Sequence, residues 1–269
     1  MKKFFLLILS LSALAATTFD DAFQKYLNEF PFEHYSVAVV QGQGKFYIDP
    51  IPDCIKGFLR EGNVWEPHII KLLRQYVKKG TVAVDIGAHI GTHTVRMAKF
   101  VGPTGKVVAI EPHPKHFREL YWNCKLNNVD DVVELHHCAV GGSERMVRIK
   151  SGPAGNEGHA EIARDDEKEG VAVLMRTIDS FNLNNISLMK IDVENFEEEV
   201  LRASRETIQR NRPVIIIEIL GGSWFHYETV SPELRAEIER IKNILGDMGY
   251  RVERVYGCDF LAIPKEKKR

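Results

Sequence analysis

TVAVDIGAHIGTHTVRMAKF, residues 81–100, is the stretch on which the fold turns. Its first six residues form an almost continuous apolar run, rich in β-branched side chains, with an acid, Asp85, one residue before its end. That is how a strand reads when helices cover both of its faces. Gly87 and Gly91 then bracket a short turn, and Thr92 to Val101 carries apolar residues at helical spacing. A strand, a glycine turn and a helix in this order make the first unit of an open parallel sheet. Ligands of such sheets bind just beyond the carboxyl ends of the strands, which is where this turn lies.

The same alternation continues outward. Strand KVVAIEP (106–112) precedes helix PKHFRELYWNCKLNN (114–128) and strand VVELHHCAV (132–140); farther on come strand ISLMKIDV (186–193), helix NFEEEVLRASRETIQRN (195–211) and strand PVIIIEIL (213–220). The pattern predicts a doubly wound, mostly parallel α/β sheet. On the N-terminal side, YSVAVVQGQGKFYIDP (35–50) reads as two strands around a Gly-rich turn. WEPHIIKLLRQYVKKG (65–80) reads as a helix with Lys78 and Lys79 in its last turn and Gly80 as its stop. FDDAFQKYLNEF (19–30) has helical spacing. Between 141 and 180 the alternation breaks: MVRIK and VAVLMRTI look like a β-pair flanking the polar, Gly-rich SGPAGNEGHAEIARDDEKEG, and a loop of this length is more often functional or mobile than inert. GYRVERVYGCDFLAIPK (249–265) resembles a closing hairpin.

The first residues, MKKFFLLILSLSALAA, pair two lysines with an apolar run too short for a bilayer span, which needs about 20 residues. They read as a secretory signal peptide, or else as a short membrane anchor. The domain organisation expected is therefore a signal at 1–16, a helix/strand extension at 17–80, and a ligand-binding domain at 81–269 with a β-rich insertion at 141–180. The product would be exported or membrane-associated, touching membrane only through the apolar segment. Lys and Arg number 36 against 37 Asp and Glu, for a net charge of −1, and the one dense basic stretch is the terminal KEKKR. That balance argues against a partner held by neutralising nucleic-acid phosphates. Cys54, Cys124, Cys138 and Cys258 are widely spaced; they would permit disulfides but spell neither a framework nor a zinc site.

Two ligand classes compete for the glycine turn. A dinucleotide asks for G-x-G-x-x-G, so that its pyrophosphate can lie against the backbone. Here His89 stands where the second glycine would be, and Asp85 places a carboxylate beside the turn. S-adenosylmethionine carries no phosphate and two positive groups, so Asp85 would favour it directly or through water. Glu111 ends the next strand, 20 residues after Gly91, where a carboxylate accepts ribose hydroxyls from either cofactor. Asp192 and Glu194 leave a third apolar strand at the same sheet edge.

VDIGAHIGTHTV, AIEPHP, RTIDSF, KIDVENFEEEVLRAS and PVIIIEI stand in the order and spacing of FkbM-type S-adenosylmethionine-dependent methyltransferases, and the resemblance runs from about Trp65 to Leu220. It implies a Rossmann-like class I methyltransferase fold, S-adenosyl-L-methionine as cofactor, and methyl transfer to a hydroxyl of a sugar, glycolipid or secondary-metabolite-like acceptor. Asp85, Gly87, His89, Gly91 and Glu111 fall on the cofactor positions. Asp192 and Glu194 fall on the family's K-I-D-V-E-G segment as catalytic candidates. His89 stands where Asn is usual, and Asn195 where Gly is usual. An enzyme using this cofactor and carrying an export signal meets a difficulty, since the cofactor is made in the cytosol; a site on the cytoplasmic face would resolve it.

Ten histidines raise the question of a metal. His89 and His93 are four apart, yet no Glu follows His89 as in H-E-x-x-H, and no metal site is expected from spacing. His136 and His137 end a strand and point to opposite faces. His226, in GGSWFHYE just past the PVIIIEIL strand, is the second candidate for a general base. Two alternatives remain: an exported nucleoside-binding or interaction module with this fold but no activity, and a nicotinamide-dependent oxidoreductase.

Overall fold

The computed structural model describes residues 34–152, 160–163, 167, 169–219 and 231–267. The N-terminal apolar segment, the 19–30 stretch and His226 lie outside the described residues. No helix among the described residues is long and apolar enough to cross a membrane.

The described residues begin with an antiparallel hairpin, β1 (Ser36–Val40) and β2 (Gly44–Ile48), followed by helices α1 (Cys54–Arg60) and α2 (Pro67–Tyr76). Helix α1 is opened by Asp53, whose carboxylate accepts the Lys56 N–H at 2.9 Å. Then comes the alternating region: β3 (Val82–Ile86), α3 (Thr92–Val101), β4 (Lys106–Ile110), α4 (Pro114–Leu126) and β5 (Val133–His136). The insertion contributes β6 (Ala139–Val140), β7 (Arg145–Lys150), β8 (Glu161–Ile162) and β9 (Val171–Arg176). After it run β10 (Ile186–Ile191), α5 (Glu197–Arg202), α6 (Arg205–Asn211), β11 (Val214–Glu218), α7 (Pro232–Asp247), β12 (Tyr250–Tyr256) and β13 (Asp259–Pro264).

Seven strands form the central sheet in the order β12-β13-β11-β10-β3-β4-β5. Strands β3, β4, β5, β10 and β11 are mutually parallel, while β13 runs antiparallel to both β11 and β12. Counted from β5 by appearance within the sheet, the order is 3-2-1-4-5-7-6. It is the Rossmann order with one antiparallel strand slipped in beside the edge. The order reverses between β3 and β10, and the crevice at that switch point receives the ends of both strands.

The sheet is buried on both faces. Ala83, Val107, Leu188 and Ile216 pack with α2, α3 and α4 on one side. Val84, Val108, Met189 and Ile217 pack with α5, α6 and α7 on the other. Period-two alternation deals each strand's side chains to the two layers, and this is why the strands read as unbroken apolar runs.

Three local differences from the sequence reading have physical causes. The VVELHHCAV run is divided: β5 pairs with β4, while Ala139 and Val140 leave to pair with β9 in a separate four-stranded sheet, β6-β9-β7-β8. The NFEEEVLRASRETIQRN helix breaks at Ala203–Ser204. There the Ser204 hydroxyl donates to the Val200 carbonyl at 2.6 Å, and Asp179 accepts the N–H groups of Glu206 and Thr207, so it serves as a cap for the second helix. The four cysteines are free thiols, three of them buried. The MVRIK and VAVLMRTI segments do pair, as β7 and β9, and the tail does close as the β12–β13 hairpin.

Candidate active site

Beyond the carboxyl ends of β3, β4, β10 and β11 lies a cavity of about 280 Å³. Its floor is the sheet edge, with Gly87, Glu111, Asp192, Glu194 and Glu218. One wall comes from α1 and the segment before α2 (Cys54, Ile55, Trp65, Glu66), another from the insertion (Ile149, Ala160, Ile162), and a third from the closing hairpin (Tyr256 to Asp259). Extension, insertion and hairpin thus all serve to enclose one site.

Glu111 is buried, and its two oxygens are already oriented. The His89 N–H donates to one at 2.8 Å and the His113 N–H to the other at 2.7 Å. Burial pushes its carboxyl up to about 7, against the pull of those two N–H groups. The oxygens keep acceptor capacity for hydroxyl donors entering the cavity. His89 supplies its N–H from a left-handed backbone conformation (φ 48°), and its ring packs edge-on against His116 at 4.2 Å between centroids. Burial lowers the His89 imidazole to about 4, so the ring is neutral at physiological pH.

The two glycines are needed for packing. A Cβ on Gly87, which has φ +80°, would lie 1.7 Å from the Asp192 carbonyl oxygen, and one on Gly91, at φ +91°, would lie 2.7 Å from Leu120 Cδ1. Gly87 lets the β3 turn press against the exit of β10 and also lines the cavity. Gly91 lets α3 start against α4 and does not line the cavity.

Asp85 is fully buried behind the turn, and the Thr94 hydroxyl donates to it at 2.5 Å. Its other oxygen has no partner among the described residues. Burial raises its pKa, and Lys190 opposes that rise. Lys190 sits on β10 in register with Asp85 and donates to Asp192 at 2.6 Å. Burial works against the Lys190 charge, but Asp192, Asp85 and Glu66 outweigh it and raise its pKa.

Downstream of Asp192 the chain turns through Glu194 (φ 50°) and Asn195 (φ 67°), both left-handed. Asn tolerates this region far better than most residues do, so Asn195 can hold the turn that a glycine holds elsewhere. Burial, then Asp192 and Glu197, push Glu194 up to about 8.

Strand pattern and spacing did not single out Glu66, His68, Lys190, Glu218 or Asp259, yet all belong to this corner. Glu66 precedes Pro67 in a left-handed conformation (φ 46°) and meets His93 Nε2 at 2.7 Å. Asp259 meets His68 Nε2 at 2.6 Å. Glu218 ends β11 directly across the ladder from Asp259. The one available signal was a charged residue breaking an apolar parallel strand: Lys190 in LMKI and Glu218 in VIIIEI, as Asp85 does in VAVDI. His89 and His93, four apart in sequence, face different partners, His116 and Glu66.

The sheet is Rossmann-like in its strand order, with an acid closing β4 and a glycine turn closing β3. The methyltransferase FkbM domain matches residues 85–252, and the chain belongs to that family. It is 28% identical over 142 residues to Methyltransferase 1 of Beauveria bassiana, covering 44% of this chain and 56% of that protein. It is 25% identical over 163 residues to the hexuronic acid methyltransferase AglP of Haloferax volcanii, covering 58% of this chain and 63% of that one. The chain thus matches less than two thirds of the length of either relative. The solved FkbM methyltransferase of Methylobacillus flagellatus aligns with 77% of this chain and 52% of its own at 16% identity, with a TM-score of 0.47.

Proposed function

We propose that the protein is an S-adenosyl-L-methionine-dependent O-methyltransferase acting on a hydroxyl of a sugar, glycolipid or secondary-metabolite-like acceptor. The observation that carries the reading is Glu111, buried at the end of β4 with both oxygens oriented by backbone N–H groups from the glycine turn and from its own turn. A carboxylate so placed suits the two hydroxyls of a ribose. The turn beside it is poor for pyrophosphate: His89 occupies a position a dinucleotide wants as glycine, and Asp85 lies behind it. Asp85, which keeps one unpartnered oxygen but does not itself line the cavity, would favour the positive end of the cofactor through water. Gly87, His89 and Gly91 shape the turn around the ligand.

Methyl transfer is an in-line displacement in which the acceptor oxygen must be held about 3–3.5 Å from the methyl carbon. The hydroxyl proton leaves as the new bond forms. Asp192, at the cavity edge, is the proposed base, its orientation set by the Lys190 contact, with Glu194 as orienter or acceptor ligand. His226 keeps the role of second candidate from sequence. The relationship to a hexuronic acid methyltransferase supports a sugar acceptor.

Incubation with methyl-labelled S-adenosylmethionine and a panel of glycans and glycolipids tests this reading: label is expected in an acid-stable ether on the acceptor. Saturable cofactor binding with no transfer to any acceptor would favour the non-catalytic module instead.

A further inference from the structure

We infer that the outer face of the β1–β2 hairpin, with the basic groove beside it, docks on an anionic phospholipid surface. The groove has a volume of about 330 Å³ and lies between the hairpin turn, α3 and the end of α4, with Lys45, Arg96 and Lys99 as its cations. No residue that lines it lines the cavity beyond the sheet edge, so the two are separate surfaces.

Its positive charge is uncompensated. Among the described residues, Lys45, Arg96, Lys99 and the neighbouring Arg74 make no ion pair, and the buried Nε of Arg96 has no hydrogen-bond partner. The sequence holds no Asp or Glu between 35 and 48 or between 86 and 110, the segments that supply the hairpin, the glycine turn and α3. Arg74 and Arg96 share the ring of Phe100, their guanidinium carbons 6.0 and 4.8 Å from its centre. Burial and then Arg74 lower the pKa of Arg96, and burial, Arg96 and Lys45 lower that of Lys99. Cations held together in this way, in a chain whose net charge is −1, repel one another until anions arrive from outside.

The anion is identified by what lies next to the charge. Period-two alternation puts Val37 and Val39 on the outer face of β1, where they are 47% and 64% exposed, and Val39 stands across the ladder from Lys45. Exposed valines beside a lysine suit the boundary between headgroups and acyl chains, where the apolar part is buried and the ammonium meets phosphate. A single-stranded nucleic acid would favour aromatic platforms, and none lines the groove. Residues 17–35 are all that separate the hairpin from the apolar run of residues 4–16. Two weak membrane contacts on one short tether reinforce each other. The hairpin face thus adds to the apolar run a second contact, one that senses lipid charge.

The test is sedimentation of the full chain with vesicles of phosphatidylcholine alone and of equal parts phosphatidylcholine and phosphatidylglycerol. Wild type is expected to prefer the mixed vesicles by about tenfold or more, and to lose that preference in high salt. The double variant Lys45→Gln/Lys99→Gln, both exposed positions, should bind mixed vesicles about twenty-five-fold more weakly, at about fivefold for each charge. Its binding to phosphatidylcholine alone should match wild type. Arg240→Gln/Lys242→Gln, which removes the same charge from α7 on the other side of the sheet, should leave both unchanged. Wild type that fails to bind, or binds both vesicles equally, would overturn the inference, as would an equal loss in the α7 variant. Release from mixed vesicles by inorganic phosphate at unchanged ionic strength would also overturn it, because the groove would then hold the free anion. An RNA oligonucleotide bound more tightly than the mixed vesicles, and lost with Lys45 and Lys99, would overturn it in favour of nucleic acid.

Discussion

Lowering the pH from 8 to 6 should weaken S-adenosylmethionine binding about tenfold through Glu111 alone. Burial raises this carboxyl to about 7 in the empty protein. A group with that pKa is ionised in about one molecule in eleven at pH 6 and in about ten in eleven at pH 8, and the ratio of these fractions gives the tenfold. The carboxylate is the form that accepts two ribose hydroxyls; once protonated, it must spend one oxygen as a donor, with backbone N–H groups already facing it at 2.7 and 2.8 Å. The same shift acts on folding with the opposite sense: an acid whose folded pKa is raised binds its proton more tightly when folded. Stability from this group therefore declines as pH rises from the ordinary carboxyl value of 4.5 through about 7. Titration calorimetry at pH 6, 7 and 8 on wild type and Glu111→Gln checks the first effect. The variant should bind about 1.5–3 kcal/mol more weakly at pH 8, the range for a lost charge-assisted hydrogen bond. Its affinity should also lack the wild-type pH slope, and the difference between the two slopes removes any contribution from the ligand's own amino group. Equal slopes, or full affinity in Glu111→Gln, would refute the reasoning.

Three further outcomes follow from the same geometry. Asp85→Ala should weaken cofactor binding by about 1.5–3 kcal/mol, with added salt changing the difference from wild type little because Asp85 is fully buried; a lower melting temperature with unchanged affinity would make Asp85 a structural residue only. Asp192→Asn should cut turnover by about 10² or more, the usual worth of a positioned base, while cofactor affinity stays within a few-fold; near-normal turnover in a labelled-methyl assay would remove Asp192 from the mechanism. Gly87→Ala should cost at least about 3 kcal/mol or prevent folding, because the new Cβ would fall 1.7 Å from a backbone oxygen at a φ of +80°. A thermal melt matching wild type would show that the β3 turn and the β10 exit can separate.

How much of this was legible in sequence varies from element to element. The 92–101 helix was readable to the residue, because a glycine stands on each side and apolar residues recur at helical spacing between them. The central strands were readable because both faces are covered, which leaves continuous apolar runs. The division of 132–140 between two sheets was not, because the residues of β5 and β6 have the same strand-like composition and only their partners differ. Helix α7 lies past the last recognised motif, although Ser231, whose hydroxyl accepts the Leu234 N–H, and Pro232 mark its start as helix signals do.

The site divides in the same way. Asp85, Gly87 and Glu111 are each set by one local strand-turn unit and could be found by spacing. Glu66, Glu218 and Asp259 come from three separated segments, and the sheet order sets Glu218 beside Asp259 while Glu66 joins them from the turn before α2. That β13 enters beside β11 is a tertiary fact with no local sequence signal, and it is what sets Asp259 opposite Glu218. The glycines carry a related lesson: spacing identified the positions, while the reason each must be glycine lies in Asp192 and Leu120, contacts that sequence order does not show.

Whether this cavity is a cofactor site is tested most directly by calorimetric titration of the full chain with S-adenosylmethionine, S-adenosylhomocysteine and NADH in turn. The account predicts one site per chain for S-adenosylmethionine, competition by S-adenosylhomocysteine, and no heat from NADH. Binding of NADH without S-adenosylmethionine, or binding of neither nucleoside by folded protein, would contradict it.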